Sequence, residues 1–183
     1  PTGAIMSISR RTELLNWANE NPDRYIVEDD YDSEFKYTGR PIPALKANDI
    51  NDKVIYLGSF SKSISPAIRV SYLVLPKALL NIYQRELPYF ICPVPTLNQK
   101  ILYRFIKDGY FVKHINKMRT LYKKKREFLV NTIKAYSSKI LNKEIQIQGA
   151  DAGLHMVIKL NQKINEKLFL NECLENSLKL YSL

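Results

Sequence analysis

Gly58-Ser59-Phe60-Ser61-Lys62-Ser63, with Arg69 seven residues beyond the lysine, is the stretch on which the reading of this chain turns. It follows Val54-Ile55-Tyr56-Leu57, a short apolar run that reads as a buried strand. Small hydroxyl residues then turn the chain around a single lysine. Ser59 and Ser61 offer short donors and Arg69 a guanidinium, the combination a phosphate group requires. A lysine held beside a bound phosphate is well set to form a Schiff base with an aldehyde. Taken alone, the same residues also fit a surface turn with a solvated lysine.

A second stretch upstream narrows the choice. Tyr25-Ile26-Val27 reads as a strand and runs into Glu28-Asp29-Asp30-Tyr31-Asp32-Ser33-Glu34-Phe35. In an open α/β sheet, ligands bind beyond the carboxyl ends of the strands. Two strands that both end in polar chemistry therefore suggest one shared site. There an acid can pair with a protonated pyridine nitrogen and a tyrosine can contact a phenolate oxygen. Together with the lysine and the phosphate cup, this is the set that pyridoxal 5'-phosphate (PLP) needs. Alternation along an extended chain puts positions 29 and 31 on one face. The acids of the cluster cannot all be buried, and most are expected to be solvated or paired at the surface.

Several motifs now stand in order: Glu28 to Phe35, Gly39-Arg40-Pro41-Ile42-Pro43-Ala44-Leu45, and Tyr56 to Ser63. Gly109-Tyr110-Phe111-Val112-Lys113-His114-Ile115 comes next, with Met118-Arg119 and Tyr122. The chain resembles the aminotransferase-like domain of MocR-type regulators of the GntR family, and the likeness is weakest after about Ser137. The opening Pro1-Thr2-Gly3 resembles the end of a family segment, and Gly153-Leu154-His155 a small-domain element. The resemblance implies Lys62 as the internal-aldimine lysine and Asp29 as the pyridine-nitrogen partner. It implies Tyr31 at the O3′ oxygen and Ser59, Ser61 and Arg69 around the phosphate. Asp30 is the neighbour most easily confused with Asp29. Lys36 stands where the family often has arginine. Ile64-Ser65-Pro66-Ala67-Ile68 departs from the family's usual run, with Ala67 in place of a glycine that allows more backbone freedom. His155 reads as structural.

The bulk of the chain suits this picture. Its 183 residues allow one domain or parts of two, and 45% hydrophobic with 25% charged residues fits a globular protein. No apolar run approaches the ~20 residues of a membrane-spanning helix. There is no signal-peptide pattern, and Cys92 and Cys173 lack metal-ligand spacing and are expected as reduced thiols. Without an initial Met, and ending just after apolar material, the chain reads as a fragment.

Local patterns give the elements. Ser7 to Asn19 reads as a helix capped by Ser7 or Ser9, with Trp17 as a core anchor. Gly39 to Leu45 is a proline-punctuated loop, Val70 to Leu75 a strand and Lys77 to Leu87 a helix. From Leu97 the pattern is helical, with Phe111, Ile115, Met118 and Tyr122, then Phe128, Leu129, Ile133 and Tyr136, as one apolar stripe. Ile145 to Gln148 and Leu154 to Leu160 read as strands, Asn165 to Ser177 as a helix, and Leu178 to Leu180 as the start of a strand. Residues 100–143 hold 13 Lys and Arg against 2 Asp and Glu, which accounts for the net charge of +10. Such a block can be a nucleic-acid footprint, but without a DNA-reading motif it is read as a solvated helix face.

The expected fold class is α/β. It comprises part of the large domain of a PLP-dependent, aminotransferase class I/II-like transferase in residues 1–98. Residues 99–183 supply a linking helix and a smaller α+β domain, both domains being incomplete. The expected function is PLP binding and effector sensing in a cytoplasmic transcriptional regulator. The effector is an amino compound, the protein a homodimer, and DNA is bound through an N-terminal winged helix-turn-helix domain outside this chain. The alternatives are a genuine PLP-dependent aminotransferase and a basic DNA-binding module. The resemblance further implies that the remaining phosphate contacts and the ring-stacking aromatic lie upstream. The arginine for a substrate carboxylate would lie beyond Leu183, so the fragment alone is expected to be inactive.

Overall fold

The computed structural model describes residues 6–39, 42–137, 145–160 and 165–182. The readings of Pro1 to Gly3, of Arg40 and Pro41, and of residues 138–144 lie outside these. The chain divides into two compact units. The larger runs through Lys125 and includes Asp151–Leu154, and the smaller takes the chain from Arg126 to Ala150 and from His155 onward.

Helix α1 (Ile8–Asn19) starts where Ser7, extended at ψ 156°, accepts a hydrogen bond from the Arg10 amide at 3.3 Å. This satisfies one of the amides that a helix start leaves unpaired. Ala18, fully buried, packs with Ile26, Leu45 and Val54, flanked by Leu14 and Leu15. Trp17 does not anchor this core. It lies one position further around the helix and is 46% exposed, with the Arg24 guanidinium 4.8 Å from its ring centre.

Strands β1 (Ile26–Asp30), β2 (Val54–Ser59) and β3 (Ser71–Val74) form a sheet in that order. β1 and β2 are parallel, from Ile26 opposite Val54 to Asp30 opposite Gly58, whereas β2 and β3 are antiparallel. Parallel pairing requires a crossover. Here it carries a 3-10 turn, Leu45–Asn48, whose first amides are held by Glu28: Leu45 N–H at 2.6 Å and Lys46 N–H at 3.0 Å. Arg11 also reaches Glu28, so this acid is paired, not solvated. Asp49 performs a similar task, accepting from the Lys53 and Val54 amides at 2.9 and 2.7 Å.

Helix α2 (Phe60–Ser63) continues directly from β2, and α3 (Lys77–Glu86) comes after the buried Pro76. Helix α4 (Thr96–Lys107) contains residues 98 and 99, where the sequence reading set its domain boundary. The helical pattern expected from Leu97 is interrupted once, at Gly109, whose φ of +77° suits a residue without Cβ. Helix α5 (Tyr110–Tyr136) then runs for 27 residues. The first part of its apolar stripe is covered, with Ile115 buried and Phe111, Met118 and Tyr122 half-buried. The second part is more open: Phe128 is 74% exposed.

In the smaller unit β4 (Gln146–Gln148) pairs antiparallel with β5 (Val157–Lys159), and Arg126 Nε donates to the Ala150 carbonyl. Helix α6 (Glu166–Glu175) is capped by Asn165, which accepts from the Leu168 amide. The strand expected at Leu178 to Leu180 does not form. Ser177 turns left-handed at φ +61° and the Leu178 amide folds back to the Cys173 carbonyl, so this segment closes the helix instead.

Candidate functional site

Because β1 and β2 are parallel, both leave the sheet at the same edge. β1 ends at Asp29 and Asp30, with Tyr31 next, while β2 ends at Ser59 and passes into α2 with Lys62. The chain then returns along β3, with Ser71 opposite Ser59 and the Phe60 amide bonded to the Val70 carbonyl at 3.0 Å. This closed excursion brings Arg69, next to Val70, back to the edge from which Lys62 departs. Arg69 adopts φ +50°, a left-handed conformation that a side chain with Cβ seldom takes. Such strain persists where its surroundings impose it, and it concentrates at ligand sites.

Ser59 is the N-cap of α2 and accepts from the Ser61 amide at 3.2 Å. Ser61 is half-buried, whereas Lys62 and Arg69 are exposed. Tyr31 is 39% exposed. Partial burial, then the charges of Asp32 and Asp29, raise its phenol above the ordinary tyrosine value, so it stays a neutral donor.

The two adjacent acids differ in their engagements. Asp30 accepts from the Tyr56 hydroxyl at 2.7 Å and from the amide and hydroxyl of Ser33 at 3.2 and 2.7 Å. Desolvation, then the bond to Asp30, pushes the Tyr56 phenol far above its usual value. Asp29 points to the opposite face by strand alternation and accepts no hydrogen bond among the described residues. Asp32 is committed elsewhere: it accepts from the Leu154 amide at 3.2 Å, and a Cβ on Gly153 would fall 2.6 Å from its carboxylate.

Sequence reading missed several residues that shape this edge. Tyr72 lies across Gly58 and meets Phe60 at 5.2 Å and Tyr56 at 6.0 Å between ring centres. Only the glycine in the strand hinted at such a close approach. His114 stands 3.0 Å from the Ser63 carbonyl, and Arg119 donates to the Glu34 carbonyl at 2.9 Å. Both belong to the Gly109-to-Tyr122 motif, but nothing in its spacing names their partners. His155 is exposed and lies in the smaller unit. Among the described residues no group of His, Cys, Asp and Glu could hold a metal ion, and no helix is long and apolar enough to cross a membrane.

Residues 1–181 match the family model described as aminotransferase class I and II, and the chain belongs to that family. It is 39% identical over 98% of its length to the uncharacterized HTH-type transcriptional regulator YdeL of Bacillus subtilis, of which it spans 38%. It is 33% identical over 92% of its length to the probable rhizopine catabolism regulatory protein MocR of Rhizobium meliloti, of which it spans 33%. Thus the chain spans well under half of these regulators. Among solved structures, kynurenine aminotransferase of Pyrococcus horikoshii, in complex with PMP, superposes with a TM-score of 0.82 at 27% identity. The match covers 98% of this chain and 43% of that one. The fold is that of the fold-type-I, PLP-dependent aminotransferases, and the sequence relatives include MocR-type regulators.

Proposed function

We propose that this chain forms part of a PLP-binding, effector-sensing domain in a regulator of the MocR type. The observation that carries the reading is the shared edge: the Asp29 end of β1, the Lys62 turn and the returning Arg69 meet where two parallel strands finish. The side chains suit the cofactor chemically. Hydroxyls of Ser59 and Ser61 and the guanidinium of Arg69 match a phosphate, and Asp29, without a hydrogen bond among the described residues, matches a ring N–H. Tyr31, a neutral phenol, can donate to a ring oxygen, and Lys62 offers its amine. When bound, PLP supplies an aldehyde carbon open to amines and an electron-withdrawing ring.

In this reading the effector is a primary amine, which can displace Lys62 from that carbon by exchange of one imine for another. The relatives' designation as HTH-type regulators supports DNA as the partner of the intact protein; in this reading it acts in the cytoplasm as a homodimer. Apart from Arg119 and Arg126, which bond the Glu34 and Ala150 carbonyls, the basic residues of α4 and α5 are then a solvated face. The likeness to a kynurenine aminotransferase favours a second reading, genuine transamination, which would also require a clamp for the substrate carboxylate.

The test is borohydride reduction of the intact protein loaded with PLP, then peptide mapping. Label on Lys62, and loss of the visible absorbance in Lys62→Ala, is the expected result; label on another lysine refutes the assignment. Lys62-dependent amination of an oxo-acid acceptor would favour the second reading.

A further inference from the structure

We propose that α5 positions both halves of the cofactor edge, with His114 holding the Lys62 turn and Arg119 the loop beyond Tyr31. The inference rests on the reading that Lys62 and Tyr31 serve one PLP site.

Helix α2 has only four residues, too few to sustain itself. Its last carbonyls have no partner within the helix. One of them, on Ser63, meets His114 Nε2 at 3.0 Å. A carbonyl can only accept, so Nε2 carries the proton. Ser63 is 1% exposed and directly adjoins Lys62 in the chain. Lys62 itself is exposed, and Ser63 is its buried neighbour in the chain. The imidazole is in turn backed by Phe105, 6.2 Å away between ring centres. Phe111, one turn earlier on α5, packs edge-on against Phe60 at the start of α2, at 5.9 Å.

The same helix engages the other loop. Arg119 Nε donates to the Glu34 carbonyl at 2.9 Å, and Tyr122 meets the buried Phe35 edge-on at 5.4 Å. Glu34 and Phe35 end the stretch that carries Asp29 and Tyr31. A helix rises about 1.5 Å per residue, so His114 and Arg119 stand about 7.5 Å apart along one rigid rod. That rod ties together two loops that are otherwise separate excursions from the sheet. His114 and Arg119 are positioning residues in this scheme; neither needs to touch the cofactor.

The experiment uses the intact protein and the variants His114→Ala, His114→Gln, Arg119→Ala and, as an exposed control on α5, Lys117→Ala. Backbone amide exchange is measured without PLP, and the PLP release rate and visible spectrum with it. Losing one partly buried hydrogen bond should speed exchange at residues 60–64, and PLP release, about fivefold to tenfold in His114→Ala. His114→Gln, which keeps an N–H donor, should restore most of both. Arg119→Ala should speed exchange at residues 34–37, and Lys117→Ala should change neither. Unaltered exchange at 60–64 in His114→Ala, an increase spread evenly along the chain, or no rescue by glutamine overturns the inference while leaving the PLP reading intact. Wild-type protein that takes up no PLP overturns that reading, and the cofactor role of the clamp with it, whatever the exchange pattern.

Discussion

Replacing Gly58 with alanine should destabilise the larger unit by about 1–2 kcal/mol, through a single neighbour. The new Cβ would stand 2.2 Å from Cζ of Tyr72 and 2.5 Å from its hydroxyl oxygen. The Tyr72 ring is 41% exposed, so it swings outward instead of being compressed. It then loses its contacts with Phe60 and Tyr56, at 5.2 and 6.0 Å, each worth about 0.5–1.5 kcal/mol. Opposing this, alanine restricts the unfolded chain and returns about 0.4–1 kcal/mol, because Gly58 is not among the positive-φ glycines. The assay is urea denaturation of wild type, Gly58→Ala, Tyr72→Ala and the double variant, with the slope checked for constancy. In the Tyr72→Ala background the Gly58 substitution should become neutral or slightly stabilising, a coupling of about 1–3 kcal/mol. An equal cost in both backgrounds would show that something other than Tyr72 requires the glycine, and the reasoning would fail.

Two further predictions concern acids. Asp30→Ala removes the acceptor of the Tyr56 hydroxyl and of Ser33 and should lower stability by about 1–3 kcal/mol, whereas Asp29→Ala, at an exposed position, should stay within about 0.5 kcal/mol of wild type but release PLP faster; urea melts and cofactor-release rates check the pair, and the opposite pattern would exchange their roles. Burial alone would raise the Asp49 carboxyl, but the Lys53 and Val54 amides and then Lys46 outweigh it and hold the group below its ordinary range. A carboxyl depressed by folding stabilises fully above its unfolded pKa of about 3.9 and progressively less as pH falls through the folded value. The urea midpoint should therefore fall on acidification from about pH 5 to 3, and Asp49→Asn should flatten that decline; an equally steep decline in the variant would exclude Asp49 as its source.

Much of the edge is legible in the residues themselves. Val54 to Leu57 and Tyr25 to Val27 announce strands by composition. The residues after each strand are chemically distinctive: Ser59, Ser61, Lys62 and Arg69 suggest a phosphate-and-amine site by their own chemistry, whereas only the family resemblance singles out Asp29 and Tyr31 among the acids. Local signals also define α1, whose cap is a serine. Trp17 is exposed against expectation because a pattern gives a helix face only to within one position, and the small Ala18 fits where the core closes. The strand expected at Leu178 fails for a related reason: strands need partners, and no local pattern supplies one.

By itself, then, the sequence determined the inventory, meaning which groups occur and which elements carry them, since both arise from short-range periodicity and residue chemistry. Tertiary structure alone decided which groups lie together. It made β1 and β2 parallel and so brought Asp29 and Lys62 to one edge. It returned Arg69 to that edge through the Phe60–Val70 hydrogen bond. It gave Asp30 to Tyr56 and Ser33 and left Asp29 without a hydrogen bond among the described residues. It also set His114 against the Ser63 carbonyl, 51 residues away in sequence. The β1–β2, Asp30–Tyr56 and His114–Ser63 pairings join segments distant along the chain, and pairing energy depends on distances in space that no local pattern encodes.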